Sequence, residues 1–451
     1  MRQAKKISAA LLTLVILCSS PATFAASQSD EVLQLAVDVG EWLAAEGQAQ
    51  ATGSAWPADA HQSETLAYDL GSGTAGVVIY FLSLYGATGN DKYLELAARG
   101  GTYLAAMLDD AESFGTGSRR ASLYTGIAGV GVALELLAEH RPAYSADVDK
   151  VVSLLESWST EEPAGTRWSD EFNDLLYGDA GTILFLAWRA HRNRDQRARR
   201  LAVSASHFLL SQSEQAERGR IWRFRRSKPF NLPGFSHGTA GISYVLGTVG
   251  SLANEPALTD AAAEGFAYIV SIADVSEHRI SIPYGWPEER WDGLYEFGWA
   301  HGLVGSYASF TRLQQLGIET SEAARFSDLI INTLSNIGLP GSPDEPFAEP
   351  ATPLDWRFGR AAVLSLLSDS GAGDDTRDAI WQDLADRARR GHQVAYWEVD
   401  APEFMGGGRA AFTGILHGSA GIGLAILRLH AALLERPPYV SLPDDPAAWS
   451  R

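Results

Sequence analysis

GFSHGTAGISYVLG, beginning at Gly234, decides how the rest of this chain is read. It holds two glycines three apart, Gly238 and Gly241, preceded by a histidine and followed by an apolar run. Two small residues three apart followed by an apolar run occur six more times. The pattern reads DLGSGTAGVVIYFLSLY from Asp69, SLYTGIAGVGVALELLAEH from Ser122 and DLLYGDAGTILFLAWRAH from Asp174. It continues as GWAHGLVGSYASFTRL from Gly298, DWRFGRAAVLSLL from Asp355 and GILHGSAGIGLAILRLHAALL from Gly414. The first glycines are Gly73, Gly126, Gly178, Gly238, Gly302, Gly359 and Gly418, spaced 53, 52, 60, 64, 57 and 59 residues apart.

A period of that length is too long for one helix and suits two helices with their loops. The runs after the glycines are apolar nearly all round, as a helix buried on both sides must be. The segments 31–46, 91–108, 145–158, 195–212, 257–273, 321–336 and 374–390 instead space their apolar positions among polar ones, as in Leu94, Ala97, Ala98 and Leu104. The first set predicts inner helices and the second outer ones. Glycine at the inner start allows a tight turn and close approach of a neighbouring backbone. An open stack of seven hairpins would expose two apolar ends, and no polar capping repeat is visible. The expectation is therefore an all-α fold, an α/α toroid of seven helical hairpins with seven inner and seven outer helices. Short β-like pieces, Arg279 to Pro283 and Gln393 to Trp397, read as loop decoration. The long loops 111–121, 160–173, 215–236, 275–298, 340–356 and 391–413 are where function is expected.

If all inner helices start on one side, the residue before each first glycine recurs around one mouth. These residues are Ser72, Thr125, Tyr177, His237, His301, Phe358 and His417. Four before the glycine lie Asp69, Ser122, Asp174, Gly234, Gly298, Asp355 and Gly414, and the position between, three before it, is always apolar. Histidine can change charge near neutral pH, and a carboxylate can hold or polarise it. Helix N-termini add partial positive charge and N–H donors, so the mouth suits an anionic or carbonyl-bearing group. A short polar residue before a helix is also an ordinary cap, and that reading stands beside the chemical one for Asp69, Asp174 and Asp355.

Residues 1–25 carry Arg2, Lys5 and Lys6, then an apolar run from Ile7 to Leu17, then small residues. This is the order of a secretory signal peptide, with cleavage expected after Ala25 or Ala26 and a single domain over 26–451. Bulky Leu17 before Cys18 argues against lipidation there. Cys18 is the only cysteine, so the processed chain has no disulfide, thiolate ligand or thiol nucleophile. Without the three basic residues of that segment, 33 basic face 55 acidic side chains. Such a balance disfavours nucleic acid and anionic lipid, and no later stretch is long and apolar enough for membrane insertion. The expected location is periplasmic or secreted.

The sevenfold pattern, with SHGTAG at 236–241 and WAHG at 299–302, resembles the lanthionine synthetase C-like family over nearly the whole processed chain. The resemblance implies an α/α toroid whose cyclases add cysteine thiols to dehydrated Ser or Thr of a peptide at a central zinc. It implies a zinc cysteine in a Trp-Cys-(Tyr or His)-Gly motif of the fifth repeat and two further ligands from Cys-His-Gly in the sixth. An aspartate of the third repeat and a histidine of the fourth are implied for acid/base steps; here these are Asp174 and His237. The fifth repeat reads Trp299-Ala300-His301-Gly302, so Ala300 replaces the cysteine. The sixth reads Trp356-Arg357-Phe358-Gly359, with Arg357 and Phe358 where Cys and His belong. A second alignment pairs Leu416-His417-Gly418 with that motif, but the repeat count makes it the seventh. Many bacterial members carry an Arg three before the Trp; here it is Glu296.

These departures lead to an expectation of no metal and no cofactor, with Arg357 proposed in the place of the lost dication; a replacement metal site on His301, His417 and Glu296 or Glu403 stands as the alternative. The leading expectation is a zinc-free toroid that binds a peptide or small molecule. Asp174, His237 and His301 are the candidate catalytic residues; Trp299, Arg357, His417, Glu296, Asp69 and Asp355 are the candidate binding residues. Tryptophans such as Trp168, Trp222, Trp286, Trp291, Trp356 and Trp397 can line the pocket. One alternative is a glycan-active acid/base enzyme using two of Asp174, Asp179, Glu288, Glu289, Asp292, Glu296, Glu398 and Glu403. The other is residual cyclase-like addition chemistry on His237 and Asp174 without metal.

Overall fold

A computed structural model of the chain describes residues 21–291, 294–337, 355–357, 359–401 and 407–450. The outer helices are α1 (Pro21–Glu46), α3 (Asp91–Met107), α5 (Ser145–Trp158), α7 (Gln196–Ser211), α9 (Pro256–Ile272), α11 (Thr320–Ser335) and α13 (Asp374–Arg387). The inner helices are α2 (Thr74–Thr88), α4 (Ile127–Ala138), α6 (Asp179–Asn193), α8 (Thr239–Ala253), α10 (Leu303–Gln315), α12 (Arg360–Ser370) and α14 (Ser419–Leu433). Each inner helix after a glycine packs on the outer helix that follows it, from α2 on α3 to α12 on α13. The last inner helix, α14, packs instead on α1 and α2, so the two ends of the chain make the seventh hairpin and close the ring. The toroid expected from the repeat is the architecture found. Of the segment 1–25 read as a signal peptide, residues 1–20 lie outside the described residues.

Burial separates the two helix sets as their patterns require. In α8 every residue from Thr239 to Gly250 is buried, whereas α3 buries Tyr93, Leu94, Ala97, Gly100, Gly101 and Leu104 along one face. Two outer helices, α3 and α7, are capped by side chains: Asn90 accepts from the N–H of Lys92, and Asp195 from those of Arg197 and Ala198. Inner helices are not. Their N-caps are glycines, because a neighbouring strand of backbone lies where a side chain would go. A Cβ on Gly238 would sit 1.5 Å from the Leu232 carbonyl oxygen, and one on Gly241 2.0 Å from that of Phe235. The cap reading of the aspartates is thereby corrected. Asp69 accepts from the Ser72 N–H at 2.7 Å and Asp174 from that of Tyr177 at 3.3 Å, so they fold the turn ahead of the helix, not its first turn.

That turn also carries the closure of the ring. The N–H of Leu176 donates to the carbonyl of Ser236, Ser236 to Ala300, Ala300 to Arg357, Arg357 to Leu416, Leu416 to Gly71 and Gly71 to Tyr124, at 2.8–3.0 Å. All seven residues stand two before their first glycine. Six of the seven links of a backbone circle, all but the one between Tyr124 and Leu176, thus gather the inner helix starts around the axis and set the spacing of whatever those starts carry.

Among the described residues six small antiparallel sheets decorate the outer loops, and the pieces at 279–283 and 393–397 belong to two of them. Several of these hairpins share a device missed in the sequence. The indole N–H groups of Trp56, Trp168, Trp222 and Trp397 donate to the carbonyls of Leu43, Leu155, Leu209 and Leu384, each thirteen residues earlier at an outer helix end. Trp168, Trp222 and Trp397 are therefore structural pins and do not line a ligand pocket. The constant thirteen-residue Leu-to-Trp spacing was the signal available to find them.

Candidate functional site

Five side chains from four repeats form one continuous chain at the mouth. Asp174 Oδ2 lies 2.5 Å from His237 Nδ1, and His237 Nε2 lies 3.0 Å from an Arg357 guanidinium nitrogen. The other terminal nitrogen of Arg357 is 3.4 Å from His417 Nε2, and His417 Nδ1 is 2.8 Å from Asp355 Oδ2. The arrangement is carboxylate, imidazole, guanidinium, imidazole, carboxylate. His301 stands beside it, its ring 5.2 Å from that of His237 and its Nε2 3.2 Å from the Tyr284 hydroxyl. His237, His301, Arg357 and His417 are 5, 2, 6 and 7% exposed, so water reaches the cluster only at its edge.

The chain fixes its own proton positions. A guanidinium only donates, so both Nε2 atoms accept from Arg357 and both Nδ1–H groups donate to a carboxylate. Both histidines are thereby neutral and held in one tautomer. Burial, then the charges of Arg357, Arg119 and Arg225, pushes His237 well below its ordinary 6.5. Burial, then His237 and Arg357, does the same to His301. Burial raises Asp174, against the N–H of Tyr177 and the charge of Arg119. Glu296 is pushed up to about 8 by burial, partly offset by Arg357 and reinforced by Asp355. Its Oε2 is buried and meets no hydrogen-bond donor among the described residues. At neutral pH it is largely a carboxylic acid beside a cation, the kind of perturbed group that gathers at functional sites.

The wall around the cluster is aromatic and basic. Phe224 and Tyr177 lie 4.5 and 5.2 Å from the His237 ring, and Tyr284 4.1 Å from the His301 ring. Arg119 stacks 4.0 Å over Tyr177 and Arg225 5.6 Å over Phe224. With Arg357 these arginines set three positive charges around His237 in a chain whose formal net charge is −19. Tyr284, Arg119 and Arg225 lie in long loops outside the repeat register, so nothing in the repeat singled them out.

The fold thus brings Asp174, His237, His301, Arg357, His417 and Asp355 together, with Glu296 within electrostatic reach. It does not bring Trp299 or Asp69 to them. Trp299 points down the axis, where its indole N–H donates to Asp444 at 2.9 Å and its ring packs on Tyr124 and Phe235. Asp69 bonds within its own turn in the first repeat. Asp179 is held by the N–H groups of Trp168 and Ser169 and by Arg226, and Glu398 pairs with Arg389 and Arg409. Phe358, Asp292 and Glu403, and the side chains of Glu288 and Glu289, lie outside the described residues.

These residues do not fit a zinc ion. Ala300 offers no ligand atom, and a guanidinium lies between the two imidazoles that face the axis. Both Nε2 lone pairs are directed at Arg357, and a dication next to that charge would be repelled. Among the described residues, no three His, Cys, Asp or Glu side chains are grouped to hold a metal.

The model of the lanthionine synthetase C-like proteins matches residues 64–342. Among solved structures, nisin cyclase superposes over 90% of this chain and 93% of its own, with TM-score 0.56 and 13% identity, a likeness of fold. An unsaturated glucuronyl hydrolase specific for heparin superposes over 91% of this chain and 98% of its own, with TM-score 0.48 and 10% identity. The GH76A alpha-1,6-mannanase of Salegentibacter sp. HEL1_6 covers 69% of this chain and 89% of its own, with TM-score 0.43 and 13% identity. No curated protein matches the chain.

Proposed function

Because the chain belongs to the lanthionine synthetase C-like family, we propose that it is a zinc-independent toroid whose helix-start mouth binds a peptide or small molecule through an anionic or carbonyl oxygen. One observation carries this reading: Arg357 is suspended between two carboxylate-backed histidines at the ring axis. Its two imidazole partners are neutral acceptors, weaker than a carboxylate. A ligand oxygen entering the mouth replaces them with a charge-assisted bond, worth roughly twice a neutral one. Tyr177, Phe224 and Tyr284 supply flat apolar surface, and Arg119 and Arg225 draw negative charge inward. Export supports a ligand outside the cytoplasm; it is proposed from the charge order of residues 1–25 and checked by sequencing the N-terminus of the secreted protein.

The same geometry favours a second, catalytic reading. When Arg357 turns to a ligand oxygen, the Nε2 lone pair of His237 is released. It can then take a proton from the ligand, with Asp174 holding the imidazolium that forms. Arg357 would face the oxyanion left behind. This is acid/base addition or elimination chemistry without a metal. The glycan-cleaving alternative has less support, since Asp179 and Glu398 are held in ion pairs.

The binding reading is tested by thermal shift of the full chain and of Arg357→Gln against matched short peptides and small acids, carboxylate against amide. Carboxylates or carbonyl ligands that stabilise the native protein and not the variant are expected. Ligands that stabilise both equally would overturn it. Turnover of any such ligand that survives His237→Gln would remove the catalytic reading alone.

A further inference from the structure

The other end of the axis holds a cavity of about 590 Å³, within the size range of small-molecule sites. It lies where the inner helices end. Its apolar lining includes Ile79, Trp299, Val304, Trp356 and Leu424. The C-terminal segment, through Tyr439, Leu442 and Asp444, forms one wall. None of the mouth residues lines it.

Two features give this cavity a chemical preference. The first is charge. Four carboxylates, Asp369, Glu435, Asp444 and Asp445, line it against two guanidinium groups, Arg428 and Arg436. Arg428 is already paired with Asp369 and Asp445. Among the described residues Asp444 pairs with no cation; it is buried and accepts from the Tyr124 hydroxyl at 2.7 Å and the Trp299 indole at 2.9 Å, both at Oδ2. The carboxyl ends of the inner helices add partial negative charge on the same side. The second feature is an unused donor. The Trp356 Nε1–H is buried and meets no acceptor among the described residues. A buried donor left unpaired is costly, so an occupant that supplies an acceptor is favoured.

We propose that this cavity is a second binding site, for a hydrophobic amine that also carries a hydroxyl or ether oxygen. The apolar body fills the space between Ile79, Val304 and Leu424. The ammonium faces Asp444, and the oxygen accepts from Trp356. The site is independent of the mouth and of the reading given to it.

Calorimetry on the full chain tests this with two probes of like aromatic body and opposite charge, propranolol and naproxen. Propranolol is expected to bind at least about tenfold more tightly, a discrimination that charge complementarity readily supplies. Ala308→Trp, which puts an indole into the cavity from α10, is expected to abolish that binding. Equal affinities, preference for naproxen, or no binding of either at millimolar concentration would overturn the proposal. So would a folded Ala308→Trp protein that binds as the native one does. If Ala308→Trp does not fold, Asp444→Asn decides: about a tenfold loss for propranolol is expected, and unchanged affinity overturns the proposal.

Discussion

The two ends of the toroid are made from the same seven helices and are chemically opposite. At the helix starts a guanidinium occupies the axis, histidines are neutral, and Arg119 and Arg225 stand over aromatic rings. At the helix ends carboxylates outnumber guanidinium groups, and Asp444, pushed up to about 6 by burial, sits under two donors. Parallel inner helices put their partial positive charge at one mouth and their partial negative charge at the other. The cations at the starts and the carboxylates at the ends add to those partial charges and do not offset them, so each end is left to attract a group of opposite sign. Between the ends lie these backbone links, with His237, His301 and His417, each just before its glycine, on the mouth side and Trp299, Trp356 and Ile415, three before theirs, lining the far cavity.

Breaking the circle is expected to abolish both ends together, the largest effect. Gly241→Leu puts a side chain against the Phe235 carbonyl, where even a Cβ would be 2.0 Å away. No cooperatively folded protein is expected by circular dichroism and thermal melting. A native-like melt would show that the glycines do not hold the circle.

Changing one end should leave the other intact. Arg357→Gln is expected to weaken an anionic mouth ligand by about 10–100-fold, the worth of a charged hydrogen bond, while the melt stays cooperative. Affinity measured by calorimetry at fixed salt checks this.

Within the mouth, two groups should respond to pH with opposite sign. The folded pKa of Glu296, about 8, lies above its ordinary 4.5, so the folded state holds the extra proton. Its contribution to stability is full below pH 4.5 and falls as pH rises to about 8. His237 is depressed below 6.5, so its contribution is present above that value and is lost as pH falls below it. Melting temperatures across pH should fall less steeply on the alkaline side in Glu296→Gln and less steeply on the acid side in His237→Gln. Parallel curves for native and variant proteins would contradict both assignments.

The smallest effect is expected far from either end. Trp222→Phe removes one pin and leaves the Leu209 carbonyl without its indole donor, a loss of about 1–3 kcal/mol in unfolding free energy. Ligand affinities at the mouth should not change. A large loss of mouth affinity would mean that the outer hairpins also set the site.

The fold was legible because the constraint is local and repeated: two small residues three apart, then a run apolar on all sides. Asp174, His237, His301 and His417 were legible for the same reason, since they occupy the repeat register. The sequence also placed Arg357 at the lost zinc position, but not its bridging of two imidazoles. That contact joins residues 120 and 60 positions apart and depends on ring closure. Tyr284, Arg119 and Asp444 were illegible because they reach the axis from loops and from the C-terminal tail. Trp299 was placed at the mouth by its neighbours in sequence; its position three before the glycine turns it to the far cavity. The tryptophan pins were legible in their spacing and read instead as pocket lining.

The central claim is that Arg357 takes the cationic place between two neutral, oriented histidines. Long-range proton–nitrogen NMR of the histidine rings at neutral pH reads it directly. The account predicts that His237 and His417 both carry their proton on Nδ1, with Nε2 unprotonated, and that Arg357→Gln perturbs both Nε2 signals. Protonated imidazolium rings, Nε2–H tautomers, or Nε2 signals indifferent to Arg357→Gln would contradict it.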